Sequence, residues 1–85
     1  MTYELLQITP YSSDEAIGWE DCDLVDWFSA TRRSLRRQFA RELKKLGVDV
    51  SSGAYRFDSY GEFDEHMELV EVATDLPLWA AVCGE

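Results

Sequence analysis

Lysine and arginine are absent from the first 31 positions, histidine occurs once, and cysteine and proline occur twice each. The amino-terminal stretch lacks the basic and then apolar order of a secretory signal. The longest unbroken apolar run, Leu78 to Cys83, is far short of the roughly 20 residues a membrane-crossing helix needs. A cytoplasmic protein that does not engage a membrane is therefore expected. Cys22 and Cys83 fit neither a zinc spacing nor the dense disulfide framework of a small secreted scaffold, and are expected to be reduced thiols. The five glycines stand singly, which excludes a phosphate-cradling loop or a dinucleotide fingerprint, and no nucleophile elbow or zincin pattern is present.

What is present amounts to one small domain, residues 1–85. With 46% hydrophobic and 13% aromatic residues the chain can bury enough apolar surface to offset its ordering entropy. An 85-residue chain has little room for a deep cleft as well as a core. A non-enzymatic protein without cofactor or metal is the expectation. His66 lies among Glu62, Asp64, Glu65 and Glu68. On a helix Glu62 and His66 would share a face, but two ligands do not make a metal site, and an acidic surface explains the histidine more simply.

Residues 2–9 read as a strand stopped by Pro10. Residues 11–18 read as a loop, in which Ser13 can cap a short helical turn. Leu24, Trp27, Phe28, Leu35, Phe39, Leu43 and Leu46 recur at helical spacing, which predicts one long amphipathic helix over about residues 23–46. Acids at its start, Lys44 and Lys45 at its end and Gly47 beyond it agree with the helix dipole and with a left-handed terminal residue. Arg32 and Glu42 intrude on the apolar arc, so a break near residues 29–31 is the alternative.

Tyr55 and Phe57 alternate with Arg56 and Asp58 as in a second strand. Ser59 and Glu62 match a capping box, and Phe63, Met67, Val70 and Ala73 then predict a second helix over about residues 60–73. The β-branched Val70 and Val72 leave a strand over residues 67–73 open. Residues 76–83 read as a buried strand. The expected fold is thus α+β, about three strands and two helices in the order β-α-β-α-β. Trp27, Phe28, Phe39, Phe57, Phe63 and Trp79 are assigned to the core, and Trp19 and Tyr60 to the surface.

Charge is segregated. The formal net charge is -9 at pH 7. Residues 32–45 nevertheless hold seven bases against Glu42 alone, and the remaining 71 positions hold sixteen acids against Arg56 alone. Two surfaces follow. An acidic one comprises Asp14, Glu15, Glu20 and Asp21 with Glu62, Asp64, Glu65, Glu68 and Glu71, the last five at helical steps comparable to a phosphate track. A basic one comprises Arg32, Arg33, Arg36, Arg37 and Arg41. Those bases suit nucleic acid phosphate or an acidic partner; more plainly, they suit a helix carboxyl end and pairing with neighbouring carboxylates.

The functional expectation is an acidic protein-binding module, of the phage-type, nucleic-acid-mimicking inhibitor kind, whose partner is a basic nucleic-acid-handling protein. The alternatives are a nucleic-acid-binding accessory protein that uses the basic stripe, and a structural subunit of an oligomer.

Overall fold

The structure, a computed structural model, describes residues 1–9, 21–60 and 66–84. Five antiparallel strands and one helix follow in the order β1 (Thr2–Thr9), β2 (Asp21–Ser29), α1 (Leu35–Lys45), β3 (Tyr55–Tyr60), β4 (His66–Glu71) and β5 (Leu76–Cys83). The sheet order is β2-β1-β5-β4-β3. β2 and β3 are therefore the two edges, and the chain between them crosses a whole sheet face as α1. Strand β5 closes the fold by pairing with both β1 and β4.

The strands expected at residues 2–9 and 76–83 are present as β1 and β5, and the one expected around Tyr55 is β3. The β-α-β-α-β order is not: among the described residues the fold is a five-stranded antiparallel sheet with one short helix. The long helix over residues 23–46 is corrected to 11 helical residues preceded by a strand. A bulge is the physical reason. Leu5 pairs with Asp26 but Leu6 with Leu24, so Val25 is an extra residue on β2. That insertion puts Leu24 and Trp27 on one face at a spacing of three, which imitates a helical repeat.

The helix expected over residues 60–73 is likewise corrected: residues 66–71 are strand β4 and 72–75 its turn into β5, while residues 61–65 lie outside the described residues. Met67, Glu68, Leu69 and Val70 are all buried, so both strand faces are covered, and the alternation that leaves a strand open over residues 67–73 is broken at Leu69 and Val70. Phe63, Trp19 and the turn proposed at Ser13 lie outside the described residues.

The core is built where α1 meets the sheet. Leu35, Phe39 and Leu43, at steps of four, are fully buried and pack against Tyr3, Leu5, Phe28, Met67, Leu69 and Ala81. Aromatic rings run through this layer: Tyr3 to Phe28 at 5.8 Å between centroids, Phe28 to Phe39 at 6.4 Å, and Phe39 to Phe57 at 5.5 Å. Trp27 is not in the core as expected but 47% exposed. It lies so close over Gly84 that a Cβ there would meet its ring at 2.6 Å.

The helix ends as its sequence implies. Val48 N–H donates to the Leu43 carbonyl, and Gly47 adopts φ of 86°, in the left-handed region that favours glycine. Cys22 and Cys83 pair with Ile8 and Tyr3, at opposite ends of β1 and roughly 17 Å apart along it, so they cannot join in one disulfide. Among the described residues no helix is long and apolar enough to cross a membrane.

Candidate functional site

The basic segment begins in a turn that is fastened by its own hydroxyls. Thr31 N–H donates to Ser34 Oγ at 2.9 Å, and Ser34 N–H donates to Thr31 Oγ1 at 3.1 Å. This occupies the Ser34 side chain, which makes no cap to the helix. Arg32 and Arg33 fall in the turn, Arg36 and Arg37 in the first turn of α1, and Arg41 one turn further on. All five side chains are exposed. With Leu35, Phe39 and Leu43 inward, the intervening positions must face out.

Arg33, Arg37 and Arg41 follow one another at steps of four, each about 6 Å along the axis where the chain is helical. They border two adjoining open grooves on the flank of α1. One is lined by Arg37, Arg41 and Lys44 opposite Val48 and Val50, and the other by Arg33, Arg36 and Arg37 opposite Phe57. Ala40 and Val50 belong to both, so the trough has an apolar floor and basic walls. The Arg36 guanidinium is 5.2 Å from the Phe57 ring centroid, a cation–π contact that orients it along this trough. Asp49 bounds the far end. Hydrogen bonds from the Ser51 hydroxyl and then the Ser51 amide hold its carboxyl below the ordinary value.

Electrostatically these bases are not where a structural role would put them. Only Lys44 and Lys45 occupy the last turn, and the first turn contains no acid. Arg32, Arg33, Arg36 and Arg37 instead surround the positive end of the helix, where the dipole disfavours them. Lys45 pairs with Glu42 at 3.0 Å, whereas Arg33, Arg37 and Arg41 form no ion pair among the described residues.

The acidic candidates are not gathered in the same way. Asp14, Glu15, Glu20, Glu62, Asp64 and Glu65 lie outside the described residues, and Asp21 is placed only by its backbone at the start of β2. Glu71 ends β4, where its side chain accepts from Thr74 Oγ1 at 2.9 Å. Glu68 is 6% exposed in the middle of the sheet. A helical acidic track through Glu68 and Glu71 is therefore absent, since adjacent turns of that helix are replaced by a strand.

Glu68 belongs to a small polar group on the sheet face away from α1. Register places Tyr60 beside His66, and Asp58 beside Glu68. His66 Nε2 is 3.4 Å from Glu68 Oε2, and the Tyr60 and His66 rings are 5.2 Å apart. Partial desolvation, then the Glu68 and Asp58 carboxylates, raise the Tyr60 hydroxyl. Burial lowers the His66 imidazole below its usual 6.5, and Glu68 only partly counters this. The unfolded chain consequently takes up the His66 proton first as pH falls, so stability drops from pH 6.5 downward until the folded-state value is passed. His66→Gln is expected to flatten that part of the stability–pH curve, measured by urea melts at half-unit pH steps.

Arg56, the one base outside the helical segment, is tied to Asp58 and Asp75. Those two hydrogen-bonded carboxylates, Asp75 first, raise its pKa further above the ordinary arginine value. Among the described residues no three His, Cys, Asp or Glu side chains are grouped to hold a metal ion.

The arginines were legible in the sequence, but the trough floor was not. Val50 and Phe57 reach it because the chain folds back beneath α1 on its way to β3. No protein-family model, curated protein or solved structure matches this chain.

Proposed function

We propose that this protein is a nucleic-acid-binding accessory module, not an enzyme, that docks on the phosphate backbone through the outward face of α1. One observation carries the reading. In a chain with 17 acids and 8 bases, Arg33 and Arg37 beside the amino end of α1, and Arg41 one turn further on, form no ion pair among the described residues. Pairing with carboxylates and complementing the helix dipole are the two structural uses of such residues, and neither accounts for Arg33, Arg37 or Arg41. Guanidinium groups bind phosphate oxygens bidentately, and a helix amino end adds its own positive potential.

The remaining surface shapes how binding occurs. Outside residues 32–45 the chain holds sixteen acids against Arg56 alone, so the rest of the molecule repels phosphate, and the protein approaches with α1 foremost and makes a small contact. Binding is accordingly weak and salt-sensitive. About three phosphate contacts give a slope of log K against log salt between about −2 and −3. Of the acidic surface expected for an inhibitor, residues 66–71 form a strand, and Asp14, Glu15, Glu20, Glu62, Asp64 and Glu65 lie outside the described residues. A cytoplasmic location, where nucleic acid is at hand, accords with this reading.

Gel-shift titration with random duplex and single-stranded oligonucleotides at low salt tests it. The parent protein is expected to shift at least one of them, and Arg33→Ala/Arg37→Ala/Arg41→Ala is expected to weaken binding by more than about tenfold while melting like the parent. No shift at low salt, or equal shifts by parent and triple variant, would overturn the reading. Polyglutamate competing better than an oligonucleotide would reassign the face to an acidic protein.

A further inference from the structure

Edge strand β2 has a composition unlike the rest of the surface. Of the seven large hydrophobic residues exposed on the described molecule, Leu24 (50%), Val25 (40%) and Trp27 (47%) fall within four consecutive positions of this one strand. Interspersed with them are Asp23 and Asp26, both exposed. Register sorts these residues by face. Leu24 pairs with Leu6 and Trp27 with Glu4 on the side away from α1, while Asp23 pairs with Gln7 and Asp26 with the core residue Leu5 on the α1 side. β2 thus presents an apolar row on one face and an acidic row on the other.

Among the described residues only β1 pairs with β2, so over residues 23–27 this strand is an edge of the sheet. Trp27 N–H, on that edge, donates to its neighbour Asp26 Oδ1 at 2.7 Å. An exposed, apolar edge is a template for a further strand. Two occupants compete for it. A second copy of the chain, paired β2 to β2, would bring the acids of two strands within about 5 Å of one another and add two net charges of -9. Like charges therefore reject it. An extended segment with the opposite charge turns the same acids into cross-strand partners.

We propose that β2 is a strand-addition site for an extended peptide segment that alternates basic and aliphatic residues. Its aliphatic side chains cover Leu24 and Trp27, and its lysines or arginines stand opposite Asp23 and Asp26. The bulge at Val25 fixes the register, because it is the one place where the added strand must step past an extra residue. This site lies on the edge opposite β3 and does not depend on the reading of α1.

The test uses the whole protein and a ten-residue peptide of alternating lysine and valine. A glutamate–valine peptide and a lysine–valine peptide N-methylated at alternate amides serve as controls. The lysine–valine peptide is expected to slow amide exchange in residues 22–28 and leave β3 unchanged, and neither control should do so. Asp23→Lys/Asp26→Lys is expected to lose about tenfold or more in affinity for the lysine peptide and to gain affinity for the glutamate peptide. The milder Asp23→Asn/Asp26→Asn is expected to fall between. Absence of slowed exchange in β2, undiminished affinity of the charge-reversed variant, or a dimer in solution with β2 amides already protected would each overturn the proposal.

Discussion

Phe39→Ala is expected to remove about 3–5 kcal/mol of folding stability, measured as a fall in the midpoint of a urea melt at pH 7. Phe39 is fully buried at the centre of α1. Its ring touches aromatic neighbours on both flanks, Phe28 from β2 and Phe57 from β3, which are the two edges of the sheet. Truncation leaves a hole that neither edge can fill without tilting the helix, and the loss includes the aromatic pairs as well as the transferred area. A domain of this size holds a total margin of about 5–15 kcal/mol, so much of it goes in one substitution. Phe57→Ala, at a half-buried position, should cost less. Equal and small losses at both positions would mean that α1 is not the lid of the core.

This layer was readable in advance in its helical half. Leu35, Phe39 and Leu43 repeat at four, Lys44, Lys45 and Gly47 close the helix, and no strand has that combination. The error lay upstream. Leu24, Trp27 and Phe28 extend the same repeat into β2 only because Val25 is bulged, and a bulge has no sequence signature other than the register it produces. A break between the strand and the helix is announced by Arg32, which would otherwise point into the core. Its position marks the turn at Thr31 and Ser34.

The candidate site divides along the same line. Segregated charge is a property of sequence, and the seven bases between residues 32 and 45 are visible there. Their meaning is a property of structure. On a helix beginning near residue 23 the arginines occupy the middle and carboxyl half, where the dipole welcomes them. On a helix beginning at Leu35 the same arginines surround the amino end. Moving one boundary by a dozen residues thus converts a stabilising arrangement into an unfavourable one that calls for an anion. The acidic edge of β2 was equally hidden, since Asp23 and Asp26 read as helix-start residues until the register places them on a strand at the end of the sheet.

Leu69→Glu and the paired change Glu68→Leu/His66→Leu, on neighbouring positions of β4, are expected to act in opposite directions. Leu69 is fully buried against the α1 layer, in a cluster of apolar side chains. An unpaired buried charge costs about 3–5 kcal/mol, so Leu69→Glu should unfold at much lower urea than the parent at pH 7 and recover part of the difference toward pH 5, as its carboxyl takes up a proton. Glu68 faces the other side beside Ala80 and His66, where it is buried with a carboxylate to desolvate. Removing Glu68 alone would deprive His66 of this partner, but replacing both members of a buried pair by aliphatic groups is commonly neutral or stabilising by about 1–4 kcal/mol, and Glu68→Leu/His66→Leu should therefore melt at or above the parent. The pair separates the two conformations the sequence allows for residues 66–71. On a helix, neighbours lie about 100° apart and both substitutions would fall near one boundary of the buried face, with modest effects of similar size. In a strand they point to opposite sides, and only there does exchanging a leucine for the charge next to it reverse the outcome.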